Sequence, residues 1–171
     1  MAEFVKLIWD ICCLRRGPQD LPYAPALLAL VCAIALGFQG LVSLDATMIA
    51  IGAVTLAIKL CVLYALLFVR NLRNRFVQSA TALQGCALMI GLLILPLSLM
   101  VGDPKDTQVS SGRGLIALAI LLLLSWNLII QANIFRHSLN VPFMTGMMVA
   151  VSWFIVELYA LRALAPAVPT S

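Results

Sequence analysis

Charged residues are scarce in this chain of 171 residues: only 11% are Asp, Glu, Lys or Arg, whereas 63% are hydrophobic. A typical soluble domain has about 25% charged and about 45–50% apolar residues. A water-soluble domain this small has too much surface to bury so many apolar side chains. The composition therefore excludes an ordinary soluble domain and predicts a protein that is embedded in lipid.

Motifs for catalysis or metal binding are also missing. The single histidine, His137, lies beside Arg136 at the end of an apolar segment, and no HExxH, paired Asp or glycine-rich phosphate motif occurs. No CxxC pattern links the five cysteines, which are Cys12, Cys13, Cys32, Cys61 and Cys86. Buried cysteines of this kind usually behave as small apolar side chains. We therefore predict a protein that is not an enzyme and that binds no cofactor or metal.

The net charge of +4 arises from 11 basic and 7 acidic residues. The basic residues do not alternate with aromatic side chains as they do on nucleic-acid-binding surfaces, so no nucleic-acid partner is expected. In a membrane protein, such an excess concerns orientation and contact with anionic lipid. The lipid bilayer is therefore the first expected partner.

Residues 1–16 are predicted to form an amphipathic helix. Apolar and polar residues fall on opposite sides at helical spacing, with Phe4, Leu7, Ile8, Ile11 and Leu14 opposite Glu3, Lys6, Asp10 and Cys13. Trp9, Arg15 and Arg16 suit the headgroup layer of a membrane. We expect this helix to lie at the membrane surface, as an anchor or as a contact for a partner.

Five apolar segments follow within residues 17–164, each near the length of about 20 residues that crosses about 30 Å of hydrocarbon. They cover 25–44, 46–69, 76–101, 115–135 and 141–164, and 165–171 form a short tail. The predicted fold is an all-α, polytopic bundle of five transmembrane helices with the N-terminal interfacial helix.

Lys and Arg are distributed unevenly between the two sides of this arrangement. The N-terminal segment, the second loop with Arg70, Arg73 and Arg75, and the fourth loop carry seven basic residues, whereas the opposite side carries three. The excess normally faces the cytoplasm. We expect a multi-pass protein of the inner (cytoplasmic) membrane, with its N-terminus in the cytoplasm and its C-terminus outside. Arg70, Arg73 and Arg75 are expected to lie at the membrane interface.

Lys59 is the most unusual residue, because it lies near the middle of the second predicted span. A lysine there costs about 2.5–3.5 kcal/mol on insertion scales unless it is paired or hydrated. Glu157, in the fifth span, is the candidate partner within the chain. Arg162 is a rival partner for Glu157, and a carboxylate of another subunit is an alternative partner for Lys59. The pair predicts either a structural lock between two helices, which the shortage of further ionisable groups favours, or a proton or ion relay.

Amide and hydroxyl side chains form a second intramembrane group. Gln78, Thr81 and Gln84 share a side of the third span, and Asn127 and Gln131 share a face of the fourth. Both sets lie at overlapping depth, because the two helices run in opposite directions. They predict hydrogen bonds between helices or, alternatively, a polar cavity for a headgroup or small solute.

Small residues recur every fourth position on the first span, at Ala29, Ala33 and Gly37. Such a stripe allows helix backbones to approach closely. It predicts a packing face within the bundle or toward a partner.

The plan of five spans with an amphipathic N-terminus resembles the Yip1-type integral membrane proteins. The strings RFVQSATALQG, at 75–85, and LPYAP, at 21–25, are also similar to a group of uncharacterised bacterial inner-membrane proteins. The resemblance implies a role in membrane organisation and partner binding. It carries over no functional residue.

Three functions remain open. The first is a non-catalytic protein that binds or organises a larger membrane complex, as an accessory subunit or an assembly or scaffold protein. The second is a small ion- or proton-coupled transporter that uses Lys59 and Glu157. The third is a lipid-binding protein that uses the amide face.

Overall fold

The computed structural model describes residues 2–43, 46–101 and 111–164, which form α-helices and contain no strand. Helix α1 covers Ala2–Cys12, and α2 to α6 cover Pro25–Ser43, Ala46–Val69, Phe76–Val101, Ser111–Leu139 and Phe143–Leu164. Two 3-10 turns, Pro18–Asp20 and Arg73–Arg75, precede α2 and α4. The predicted all-helical bundle is therefore confirmed. The predicted tail, 165–171, lies outside the described residues.

Four of these helices are long and apolar enough to cross a membrane, through the stretches Pro25–Val42, Thr47–Val69, Arg73–Met100 and Gly112–Leu139. Helix α6 has a shorter apolar stretch, Phe143–Tyr159. Large apolar side chains face outward from the bundle, among them Leu41 and Leu99 at 72% and 74% exposure. Several long apolar helices with apolar outer surfaces suit a multi-pass membrane protein. The count of five spans stays a prediction.

Helix α4 occupies the centre of the bundle. It packs against α1, α2, α3 and α5, while α6 packs along α5 and also contacts α3. Every residue from 79 to 86 on α4 is buried, as is every residue from 130 to 135 on α5. A helix buried on all sides needs neighbours on all sides. The first half of α4 has them, so the best-packed part of the bundle lies there.

Helix α1 lies along the side of the bundle. A Cβ atom on Gly85 of α4 would be 2.8 Å from Ile8 Cδ1, and the Trp126 indole of α5 donates a 3.2 Å hydrogen bond to the Cys12 carbonyl. Gly85 is nine residues into α4, about 14 Å from its start. The predicted apolar face is buried at Ile8 and Ile11. The helix nevertheless lies beside α4, not across the end of the bundle where a surface helix is expected.

Three helices end in the same left-handed turn. Leu14, Asn71 and Asn140, which follow α1, α3 and α5, have φ values of 60°, 56° and 54°. In each case the next N–H bonds to the carbonyl five residues earlier, as in the Schellman motif. Asn adopts this conformation readily, whereas most other side chains lose about 1–2 kcal/mol. Leu14 is therefore a strained residue, and its side chain turns out of the apolar face predicted for it.

Helix α5 is longer than the span predicted at 115–135, since it covers Ser111–Leu139. Arg136 was expected in the fourth loop, but it lies in the last turn of α5, where its positive charge interacts favourably with the carbonyl end of the helix. Asn140 and Pro142 end the helix. With 29 residues, α5 is about 44 Å long.

The small-residue stripe on α2 does not pack within the bundle. Ala29, Ala33 and Gly37 are exposed, and a Cβ on Gly37 would meet nothing within 4 Å. These residues therefore do not form the packing face within the bundle, and the alternative, a packing face toward a partner, stays a prediction. Helix α2 uses other residues, such as the buried Val31, against its neighbours.

Candidate functional site

Lys59 of α3 and Glu157 of α6 form an ion pair inside the bundle. Lys59 Nζ donates to Glu157 Oε1 at 2.5 Å, and the two side chains are 18% and 29% exposed. Lys59 lies 13 residues after the start of α3 and 10 before its end, about 15–20 Å from either. The structure thus brings together the two charges that the sequence singled out. Glu157 pairs with Lys59, while Arg162 is exposed.

The inward direction of Lys59 follows from a stripe of residues on α3. Its members lie four positions apart and are buried or half-buried: Ile51, Thr55, Lys59, Leu63 and Leu67. Residues at this spacing share one helix face. The Thr55 hydroxyl donates to the Ile51 carbonyl at 2.8 Å, so its oxygen can still accept a hydrogen bond beside Lys59.

Glu157 occupies the corresponding inner face of α6. Ala150 and Trp153, which precede it on that face, are buried. The Trp153 ring packs edge-on against Phe135 of α5, with 5.5 Å between ring centroids. This contact fixes the rotation of α6 and directs Glu157 into the bundle toward Lys59.

A cavity of about 150 Å³ lies beside the ion pair. Its polar walls come from α2, α3, α4 and α6: Gln39, Thr55, Lys59, Gln84 and Glu157. We call this cavity the polar chamber. Gln39 and Thr55 are not among the site residues predicted from the sequence. Thr55 could have been found from its position four residues before Lys59, whereas Gln39 shows only as a polar residue in an apolar span.

The polar chamber can bind further polar groups. A lysine ammonium has three donors, and a carboxylate has two oxygens that accept. One donor and one acceptor are used in the contact between Lys59 and Glu157. The remaining ones, with the Gln39 and Gln84 amides nearby, suit water or a small polar solute. The chamber offers hydrogen bonds and a neutralised charge pair.

The amide and hydroxyl group of α4 is divided among three places. Gln78 Nε2 donates to the Leu21 carbonyl at 2.6 Å, and the Thr81 hydroxyl donates to the Val77 carbonyl of its own helix at 2.7 Å. Gln84 lines the polar chamber. These residues therefore tie down the segment before α2 and line a cavity, and none of the described hydrogen bonds joins them to α5.

On α5, the acceptor oxygens of Asn127 and Gln131 are buried without a hydrogen-bond partner among the described residues. The polar contact between α4 and α5 is made by serines instead, because Ser79 Oγ donates to Ser138 Oγ at 2.7 Å. This pair is not among the contacts predicted from the sequence. Ser138 lies seven residues after Gln131, or two helical turns, so its spacing could have identified it.

Arginines between α3 and α4 form hydrogen bonds with the last turn of α5. Arg70 Nη2 donates to the Leu139 carbonyl at 3.4 Å and Arg75 Nη1 to the His137 carbonyl at 2.9 Å. Basic groups commonly satisfy terminal helix carbonyls in this way. Arg73 stacks over the Phe68 ring at 3.8 Å. The three arginines thus have structural contacts in addition to the interfacial role predicted for them.

The N-terminal residues that were predicted to contact the headgroup layer are all exposed on the surface of the protein. Trp9 is 52% exposed, and Arg15 and Arg16 are exposed after the helix. Arg16 Nε lies 3.6 Å from Asp10 Oδ2.

Within residues 2–43, 46–101 and 111–164, no group of three or more His, Cys, Asp or Glu side chains could hold a metal ion.

Comparison with known proteins found no matching family model, no matching curated protein and no matching solved structure. The resemblance to Yip1-type proteins stays a prediction that rests on the arrangement of spans and two short strings.

Proposed function

We propose that this chain is a non-catalytic inner-membrane protein that binds or organises a larger membrane complex. The supporting observation is the position of the charged side of α1. Glu3 and Lys6 are exposed, and the neighbouring Phe4 lines a cleft with Leu88 and Leu92 of α4. These two leucines are 12 and 16 residues into α4, about 18–24 Å from its start.

The level of Leu88 and Leu92 along α4 lies within the hydrocarbon for any placement of the bilayer core along this helix. With 26 residues, α4 is about 39 Å long, and a core about 30 Å thick includes the interval at 18–24 Å wherever it begins along the helix. Charged groups that face lipid tails cost about 2.5–3.5 kcal/mol each on insertion scales. A protein partner with polar groups on its own surface removes this cost by covering α1, as an accessory subunit does.

Photocrosslinking tests this proposal. A photoreactive amino acid replaces Lys6 on α1 or, as a control, Leu122, which is 63% exposed on α5. The protein is then purified in mild detergent and analysed on a native gel with mass spectrometry. We expect one larger membrane protein in fixed stoichiometry, crosslinked from position 6 and not from 122. A protein that purifies alone and gives no crosslink from position 6 refutes the proposal.

The polar chamber favours a second candidate, a small ion- or proton-coupled transporter. Lys59→Met and Glu157→Gln remove one charge each while they keep most of the side-chain volume. If both variants accumulate and remain folded but the flux across vesicles is lost, the pair takes part in transport. An unchanged flux excludes that role and leaves the pair as a lock between α3 and α6.

We also propose that α6 is the fifth span, with the segment between α1 and α2 on the cytoplasmic side and the C-terminus outside. Its 22 residues are about 33 Å long, and its carboxylate Glu157 is neutralised by Lys59. Reporters fused to the C-terminus test this topology, because alkaline phosphatase is active only outside and green fluorescent protein fluoresces only inside. Five spans predict phosphatase activity. Fluorescence at the C-terminus, with the start of α2 on the cytoplasmic side, contradicts the fifth span.

A further inference from the structure

A second, larger cavity adjoins the polar chamber. It has about 430 Å³ and shares Ala35, Gln39 and Gln84 with the chamber. From these residues it extends to Val42 of α2 and Met48 of α3. Both residues lie close to the point where the chain passes from α2 to α3. We call this cavity the side cavity, and it leads from the ion pair toward that end of the bundle.

Gln84 indicates what the chamber contains. Its residue exposure is 8%, and it lines both cavities. A primary amide has two donors and an acceptor, and leaving such a group buried and unpaired costs about 1–3 kcal/mol. The packed environment of α4 on its other sides leaves the cavities as the place where its partners must lie.

The chamber is large enough for several waters. A water molecule occupies about 30 Å³ in the liquid, so the 150 Å³ of the chamber correspond to roughly five molecules. A buried water typically needs two to four polar partners. The ion pair, the Thr55 oxygen and the amides of Gln39 and Gln84 provide them.

We infer that the polar chamber is a binding site for a short chain of water molecules, and that the side cavity connects it to bulk water at the end of the bundle where α2 joins α3. These water molecules form hydrogen bonds with the Gln84 amide. They also hydrate the remaining donors of Lys59 and the second carboxylate oxygen of Glu157. The site therefore admits water and small hydrophilic ions from one side of the membrane only. This inference does not depend on the proposed partner.

Thiol accessibility tests the inference. In a chain whose five native cysteines are replaced, single cysteines are introduced by Gln84→Cys or Thr55→Cys in the chamber and by Leu93→Cys as a control. Leu93 lies on the same helix as Gln84 but is 47% exposed on the outer surface, where lipid surrounds it. A charged, membrane-impermeant methanethiosulfonate is added to intact cells or, separately, to inverted vesicles.

We expect the chamber cysteines to be labelled from the side of the junction between α2 and α3, at least roughly tenfold faster than Leu93→Cys, because only a thiolate reacts and it forms in contact with water. Val42→Cys should be labelled from the same side. If Gln84→Cys does not accumulate, Thr55→Cys provides the same measurement with a smaller change. Chamber cysteines that are as inert as Leu93→Cys from both sides, or that react only from the opposite side, overturn the inference.

Discussion

Ser79 of α4 and Ser138 of α5 are 59 residues apart in the chain, yet their buried hydroxyl oxygens lie 2.7 Å apart, where α4 begins and α5 ends. Removing either hydroxyl leaves the other buried without this partner. Side-chain hydrogen bonds between membrane helices contribute about 0.6 kcal/mol on average and at most about 1.7 kcal/mol. We expect Ser79→Ala and Ser138→Ala each to lower the free energy of unfolding by an amount in this range.

A double-mutant cycle in mixed micelles measures the coupling between the two serines. The double variant should be about as stable as either single variant. Ser125→Ala is the matched control, since Ser125 is exposed and its hydroxyl bonds to the Leu121 carbonyl of its own helix. Strictly additive effects of Ser79→Ala and Ser138→Ala argue against a shared hydrogen bond.

The ion pair predicts an unusual order of stabilities. Removal of one member of a buried pair costs about 3–5 kcal/mol, whereas replacement of both is often close to neutral. Because Lys59 and Glu157 keep 18% and 29% exposure, we expect the lower part of that range for Lys59→Met. The double variant Lys59→Met with Glu157→Gln should melt at a higher temperature in detergent than Lys59→Met alone. A double variant that is the least stable of all contradicts the pairing.

Helices α5 and α6 lie close together at Gly146. A Cβ atom there would lie 2.5 Å from the Ala132 carbonyl oxygen and 3.1 Å from the Arg136 backbone nitrogen. Backbone atoms cannot rotate away, so Gly146→Ala must separate the helices, and we expect a loss of about 1–3 kcal/mol. Gly37→Ala is the control, since nothing lies within 4 Å of its Cβ position. Equal melting temperatures for the two variants would show that α6 does not pack at this distance.

Leu14 offers a stabilising substitution. Its φ of 60° costs a leucine about 1–2 kcal/mol, whereas Asn tolerates this conformation better, and its side chain is 37% exposed. We expect Leu14→Asn to raise the melting temperature and Asn71→Leu, at the equivalent position after α3, to lower it. A fall in stability with Leu14→Asn means that the end of α1 has a different conformation.

The docking of α1 depends on Ile11, which is fully buried, whereas Val5 on the same helix is 54% exposed. Deletion of a buried isoleucine side chain beyond Cβ typically costs about 2–5 kcal/mol. We expect Ile11→Ala to loosen α1 and to speed maleimide labelling of Cys12, which is 5% exposed, in a variant that keeps Cys12 as its sole cysteine. Val5→Ala should leave the rate unchanged. A rate that does not respond to Ile11→Ala indicates that α1 is not held by this face.

The sequence predicted the helices well because length and apolar content decide what can cross lipid. It also predicted the partner of Lys59, since so few ionisable groups lie inside the apolar segments that Glu157 had little competition. The rest of the polar chamber could not be predicted in the same way. Helix α3 is apolar on nearly every side, so its pattern does not tell which face points inward, and the meeting of Gln39, Thr55 and Gln84 depends on that rotation.

The position of α1 shows a similar limit. Its amphipathic pattern identifies Ile8 and Ile11 as the face to be buried, but an apolar face can be buried by lipid or by another helix. The deciding contact is with Gly85, whose missing side chain makes room for Ile8. The sequence shows that a glycine lies within an apolar helix, but it does not show which neighbouring side chain will pack against that glycine.

The separation of Lys59 and Glu157 along the chain has a consequence for biosynthesis. Lys59 is made 98 residues before its counter-charge, and at about 5–20 residues per second the ribosome needs roughly 5–20 s to reach Glu157. During that time α3 carries an unpaired cation, and Ser79 of α4 still lacks its partner Ser138 of α5. The emerging helices must therefore stay in a hydrated or protein-lined environment, such as the insertion machinery, until α6 arrives and the bundle closes around the pair.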